Sequence, residues 1–322
     1  MNRKALIKEY PDYNKYVDNI FEAGQTHVFK WWNDISPPEK KHLLEQIASI
    51  NFQFVRKLFN DSFKKTTQTT KGSLVPPQII TIPKNTSEKD VAQKARQIGE
   101  DALRKGEIAV LTVAGGHGTR LGANGPKGTL PIAPISSKSI FQLHAEKIRA
   151  TQQKYQTCIP WYIMTSETND LVTQTFFQTN QFFGLDPSQV CFFTQGMLPA
   201  VDFQGNLLMD SKSNIVMSPN GHGGTIIALK EKGILEDMER RGIKIIFYHQ
   251  VDNVLIKIVD PVFIGYHLRD RAEMSLKVVK KCRPEEKVGV VVCINGSLHI
   301  VEYSELSRDE MYAKNEDGTL KY

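Results

Sequence analysis

The run Ile108-Ala109-Val110-Leu111-Thr112-Val113 passes through Ala114 into residues 115–128, where six glycines stand in fourteen positions. A short apolar run rich in β-branched residues reads as a strand buried on both faces of a parallel sheet. Glycine lets the next stretch of backbone take positive φ and bring its N–H groups close to an anion. From Ile108 through Ala145 there is no Asp or Glu, whereas Arg120, Lys127 and Lys138 are present. A strand that feeds an electropositive glycine-rich loop is a phosphate-holding device of α/β proteins.

The surrounding pattern agrees with that class. Val91, Ala95, Ile98 and Ala102 fall on one face of a helix opened by Ser87 and stopped at Gly106. Ser139 to about Tyr155 reads as a helix with Ser139 and Gln142 as its capping pair, Trp161–Met164 as a strand and Glu167–Gln178 as a helix. Val190–Phe193 and Lys244–His249 read as further strands. Such alternation predicts a Rossmann-like α/β fold, a mostly parallel sheet with helices on both faces. Residues 1 to about 62 read as helical, with Ser36-Pro37-Pro38-Glu39 as a capping-box start. A polar stretch from Lys64 to Gly72 and then Pro76, Pro77 and Pro83 read as a surface linker. The expected domains are therefore an N-terminal helical region, 1–85, and a nucleotide-binding domain, 86–322.

Several chemistries are disfavoured. Gly116, Gly118 and Gly122 give GxGxxxG rather than the GxGxxG of dinucleotide folds, and no GxxxxGK[ST] or GxSxG occurs. The histidines form no HxH or HxxxH pair of the kind that ligates metal. The net charge of +6, from 41 Lys plus Arg against 35 Asp plus Glu, is interspersed, which argues for anionic small ligands and against nucleic acid. Cys158, Cys191, Cys282 and Cys293 lack CxxC spacing and read as buried reduced thiols. With no apolar N-terminal stretch, a cytoplasmic protein without a membrane partner is expected.

The loop reads GGxGTRLG followed by PKG, which resembles the signature of the UDP-sugar pyrophosphorylases, and most closely their eukaryotic-type UDP-N-acetylhexosamine pyrophosphorylase branch. The resemblance continues through Ala23–His27, Ile159–Ser166, Gln195–Ala200, Gly221–Gly224, Val251–Asn253 and Val301–Glu305, in the family's order. It implies a nucleotidyltransferase fold of the GT-A-like kind and a uridylyltransferase acting on UTP and a sugar 1-phosphate. By that likeness Ala114, Gly115 and Gly116 hold the uridine and its phosphates, Gln195 and Gly221 meet the uracil, and Arg120 and Lys127 face the triphosphate as catalytic cations. Asp252 is the implied ligand of Mg2+ or Mn2+, and His222, Gly289, Glu302 and Tyr303 are the implied sugar contacts. Taken singly, Gln195 reads as a surface amide, Glu302 as a strand-end carboxylate and His222 as a turn residue. Asp252 is the better placed, just after an apolar strand.

Two departures leave alternatives open. Asn is the residue expected after Gly221 in the N-acetylglucosamine enzymes. This chain has His222, in the Gly-His-Gly form more typical of UDP-glucose pyrophosphorylases. UDP-N-acetylglucosamine synthesis is the first expectation, and UDP-glucose or broad UDP-sugar synthesis the alternative. The resemblance also implies a family segment beyond Tyr322, with a sugar-binding Asn and a phosphate-binding Lys, so a non-catalytic nucleotide-binding protein or an inactive fragment stands as a reading of another class. Oligomeric state is not legible.

Overall fold

The computed structural model describes residues 2–65, 74–118, 122 and 125–322. Tertiary contacts group the chain into two compact units, one of residues 1–52 and 86–273, the other of 53–85 and 274–322. This grouping follows packing rather than chain order: the N-terminal helices group with the sheet, and the chain re-enters the first unit at Thr86. The linker expected from Lys64 to Gly72 lies largely outside the described residues, and the prolines after it carry no regular structure.

The first unit begins with α1 (Arg3–Glu9), α2 (Asn14–Glu22) and α3 (Pro37–Ser49), followed by α4 (Phe52–Lys65), which runs on into the second unit. The capping box at the start of α3 forms as expected, with Glu39 accepting from the Ser36 backbone N–H at 2.7 Å. Then come α5 (Thr86–Arg104), β1 (Ile108–Val113), α6 (Ile140–Tyr155), β2 (Trp161–Thr165), α7 (Asp170–Thr179) and β3 (Val190–Thr194). After them lie β4 (Met197–Pro199), β5 (Met217–Pro219), α8 (Thr225–Glu231), α9 (Ile234–Arg240), β6 (Ile245–Gln250) and α10 (Pro261–Arg269).

The four long strands form a wholly parallel sheet in the order β3-β2-β1-β6. Alternate residues serve opposite layers, as the two-residue period of a strand requires. Val110, Trp161, Ile163 and Phe247 pack against Leu103, Phe141, Ile148, Phe177 and Ile264 of α5, α6, α7 and α10. Ala109, Leu111, Tyr162, Met164 and Phe193 face Ala228, Leu229 and Met238 of α8 and α9. The expected Rossmann-like α/β architecture is therefore present. Growth of the sheet proceeds from β1 through β2 to β3 and then reverses, with β6 joining the free side of β1. In open α/β sheets ligands bind at such a reversal, outside the carboxyl ends of the strands.

Three local expectations change. In α5 the buried stripe is Ala95, Gly99, Ala102 and Leu103, whereas Val91 and Ile98 are 40% and 37% exposed. The cause is α10, which packs so closely that a Cβ on Gly99 would lie 2.0 Å from the Pro261 carbonyl oxygen. Only the Ser139 half of the α6 cap forms, since Gln142 donates its side-chain amide to Glu146 at 3.1 Å. Helix α7 starts at Asp170 because residues 166–169 close a turn, with the Asn169 N–H donating to Ser166 O at 3.0 Å.

The N-terminal helices grip the excursion between β4 and β5. Gln25 pairs both ways with that backbone, donating to Gly205 O at 3.0 Å and accepting from Leu207 N at 2.9 Å. Gln46 does the same at Ile215, at 3.1 and 2.8 Å. The cysteines are free thiols, but Cys158 and Cys282 are exposed and the other two only half-buried, contrary to the expected burial.

The second unit holds the antiparallel hairpin of β7 (Val290–Ile294) and β8 (Ser297–Val301), then α11 (Arg308–Tyr312). The hairpin turns on Asn295-Gly296, both with positive φ (51° and 82°), a two-residue turn that suits twisted strands. Leu74, Val290, Val292, Ile294, Val301 and Leu306 form its core. No helix among the described residues is long and apolar enough to cross a membrane.

Candidate nucleotide site

The carboxyl ends of the parallel strands are tied one residue beyond the strands themselves. The Ala114 N–H donates to Met164 O at 2.7 Å, Gln195 N–H to Thr165 O at 2.9 Å and Val251 N–H to Val113 O at 3.0 Å. Ala114, Gln195 and the residue just before Asp252 are therefore fixed to one sheet edge.

At that edge Gly115 and Gln195 are in close contact. A Cβ on Gly115 would lie 2.3 Å from Gln195 Nε2, so only glycine lets the two approach as they do. Gln195 is 5% exposed, which removes its reading as a surface amide. Its side-chain amide makes no hydrogen bond to the described residues, and its nitrogen and oxygen are not among the fully buried unpartnered atoms, so both remain open to pairing. Beside it the Asn220 N–H donates to Gly196 O at 3.0 Å, which places the Gly221–Gly224 turn next to Gln195. Gly221 has φ of 59° and open space around it.

Lys127 and Asp252 meet across the edge, Nζ to Oδ2 at 2.9 Å, with side chains 26% and 44% exposed. The Lys127 N–H also donates to Gly116 O at 3.2 Å, which fixes the lysine to the glycine-rich loop. An ion pair this exposed is worth about 0 to 1 kcal/mol, so it adds little stability and is readily exchanged for a phosphate or a cation. Arg120 lies outside the described residues.

His222 is exposed on the turn after Gly221 and hydrogen-bonds through Nδ1 to the Tyr248 hydroxyl. Burial pushes the Tyr248 phenol above its usual pKa, so it stays protonated. Gly289, Glu302 and Tyr303 belong to the second unit. There a Cβ on Gly289 would lie 3.4 Å from Glu302 Oε1, so strand ends place the first two side by side, and Tyr303 is 37% exposed.

The family described as UTP–glucose-1-phosphate uridylyltransferase (UDPGP) matches residues 55–322. The chain belongs to this family. It is 38% identical over 315 residues to UDP-N-acetylhexosamine pyrophosphorylase-like protein 1 of Xenopus tropicalis, covering 94% of this chain and 61% of that one. To UDP-N-acetylglucosamine pyrophosphorylase of Saccharomyces cerevisiae it is 38% identical over 314 residues, covering 94% and 66%. The crystal structure of the uridine diphosphate N-acetylglucosamine pyrophosphorylase of Trypanosoma brucei superposes with a TM-score of 0.85 at 29% identity, over 97% of this chain and 64% of that one. The chain thus spans about two thirds or less of the length of these relatives, 61% and 66%.

Sequence reading missed the residues that brace this edge. Asn169 is 1% exposed; its amide donates to Ala114 O at 3.1 Å and accepts from the Ser166 N–H at 2.9 Å. It stands at the cap position of α7 yet makes no capping bond there. A Ser-x-x-Asn turn at a strand-to-helix junction was the available signal. His117, which contacts Thr168 Oγ1 at 2.9 Å, and Tyr248 were likewise invisible because their partners are distant in sequence.

Proposed function

We propose that this chain forms UDP-N-acetylglucosamine and pyrophosphate from UTP and N-acetylglucosamine 1-phosphate. The observation that carries the reading is the meeting, at one sheet edge, of the Gly115 backbone, the unpaired Gln195 amide and the exchangeable Lys127–Asp252 pair. An amide edge suits uracil, which offers both donors and acceptors, and a glycine-rich backbone with a lysine suits a polyphosphate.

In the reaction an oxygen of the sugar phosphate attacks the α-phosphorus of UTP in line. A new phosphorus–oxygen bond forms as the bond to the bridging oxygen breaks, and pyrophosphate departs with the electron pair. Such transfers depend on positioning and charge neutralisation. Ala114, Gly115 and Gly116 would cradle the nucleotide, and Gln195 with the backbone at Gly221 would meet the base. Lys127, with Arg120, would offset charge growing on the α-phosphate. Of the sugar contacts that the resemblance implies, His222 stands at this edge and would meet the sugar.

Among the described residues no three His, Cys, Asp or Glu side chains gather as a metal cage. Asp252 would supply one carboxylate, with substrate phosphates and water as the other ligands, which is the usual way Mg2+ is held; Mn2+ would fit the same donors. The cation, when bound, reduces repulsion between the two anionic substrates.

His222 supports a second reading, of broader sugar acceptance. With its Nδ1 engaged by Tyr248, only Nε2 is left to pair with a sugar substituent, where an Asn amide would offer a donor and an acceptor. A pyrophosphate-release assay with UTP, Mg2+ and a panel of sugar 1-phosphates tests both. Release with N-acetylglucosamine 1-phosphate supports the first reading, equal release with glucose 1-phosphate the second, and no release with any sugar contradicts both.

A further inference from the structure

Two basic side chains of α6, one buried and one half-buried, have no part in the chemistry above, and both bond the turn that carries Asp252. His144 is fully buried and donates from Nε2 to Val251 O at 2.8 Å. Its Nδ1 has no partner, so the ring is neutral with its one proton on the bond to the turn. One helical turn on, Lys147 donates from Nζ to Val254 O and, at 3.0 Å, to Ile256 O. Among the described residues Lys147 bonds these carbonyls and no carboxylate, and partial burial pushes its ammonium below its usual pKa. An ammonium drawn from water without a counter-ion is costly, and here its compensation is the two turn carbonyls.

The turn itself is tight. Asn253 N–H donates to Gln250 O at 3.2 Å, Val254 N–H to Asp252 O at 3.0 Å and Ile256 N–H to Asn253 O at 3.3 Å. Asp252 is thus bracketed by a carbonyl held by His144 and another held by Lys147. We infer that His144 and Lys147 are positioning residues that set where the Asp252 carboxylate stands, and that divalent-cation-dependent nucleotide binding depends on them. The inference rests on Asp252 being the cation ligand of the proposed reaction. Groups one step removed from a metal ligand tune affinity through its orientation, whereas contacts to the base lie elsewhere on the edge.

The test uses the wild-type chain with Lys147→Met and Lys147→Arg. Three quantities are read: the Mg2+ concentration at half-maximal UTP binding, the affinity for uridine without metal, and amide exchange in the unliganded protein. In Lys147→Met the Mg2+ midpoint should rise about tenfold while uridine affinity stays within about twofold, and Lys147→Arg should recover most of the loss. The Val254 amide should exchange faster in Lys147→Met, with the Gln195 amide unchanged. An unmoved Mg2+ midpoint, an unmoved Val254 amide or an equal loss of uridine affinity would each overturn the inference. A wild-type chain whose UTP binding ignores Mg2+ would instead overturn the functional reading, and the inference with it.

Discussion

Gly115 and Lys127 carry the sharpest expectations at the scale of single residues. A methyl on Gly115 must displace Gln195, since its Cβ would lie 2.3 Å from that amide nitrogen. Gly115→Ala should therefore weaken uridine binding by about 1 to 3 kcal/mol, the worth of a lost hydrogen bond to a buried amide. Calorimetry showing unchanged uridine affinity would mean that Gln195 does not read the base. Lys127 stands on the loop and reaches across to Asp252, and in the proposed reaction its charge would matter most as the phosphorus gains a fifth ligand. Lys127→Ala should lower kcat by about 10²- to 10³-fold and affect UTP affinity far less. Stopped-flow pyrophosphate release would separate the two, and equal losses in both would assign Lys127 to ground-state binding.

At the scale of elements, strands and caps were more legible than packing faces. The β1 run was readable because a strand buried on both faces of a parallel sheet is continuously apolar. The buried role of Gln195 was not readable from its own neighbours, since it depends on Gly115 being brought against it by the sheet. In the same way the α5 stripe was misassigned because hydrophobicity favours Ile98 over Gly99, while contact with α10 requires the residue without a side chain. Gly99→Ala should thus cost about 1 to 3 kcal/mol by overpacking, more than Ile98→Ala on the half-exposed side. Urea denaturation ranking Ile98→Ala as the more damaging would contradict the packing described. For the β7–β8 hairpin the available signal was the Asn295-Gly296 turn, whose two positive φ values suit a two-residue connection.

For the whole molecule, the paired histidines under the sheet edge link stability to pH. Burial lowers His144 from 6.5 to about 4, and burial together with His144 lowers His249 to about 3. Above about pH 6.5 both are neutral folded and unfolded, and neither contributes. As pH falls below that value the unfolded chain takes up protons that the folded chain refuses, at up to about 1.4 kcal/mol per unit for each group, until the folded pKa is reached. The melting temperature should then fall between about pH 6.5 and 4.5, above the range where carboxylates titrate, and less steeply in His144→Gln. A wild-type melting temperature flat across that window would contradict a buried neutral pair.

In the proposed reaction a uridine nucleotide occupies the sheet edge between Gly115, Gln195 and the Lys127–Asp252 pair. Titration calorimetry of wild type and Gln195→Ala with UTP and ATP, in Mg2+, tests it most directly. Wild type should prefer UTP, and Gln195→Ala should lose about 1 to 3 kcal/mol with UTP but little with ATP. Equal affinity of the wild-type chain for the two nucleotides, or a preference that survives intact in Gln195→Ala, would contradict it.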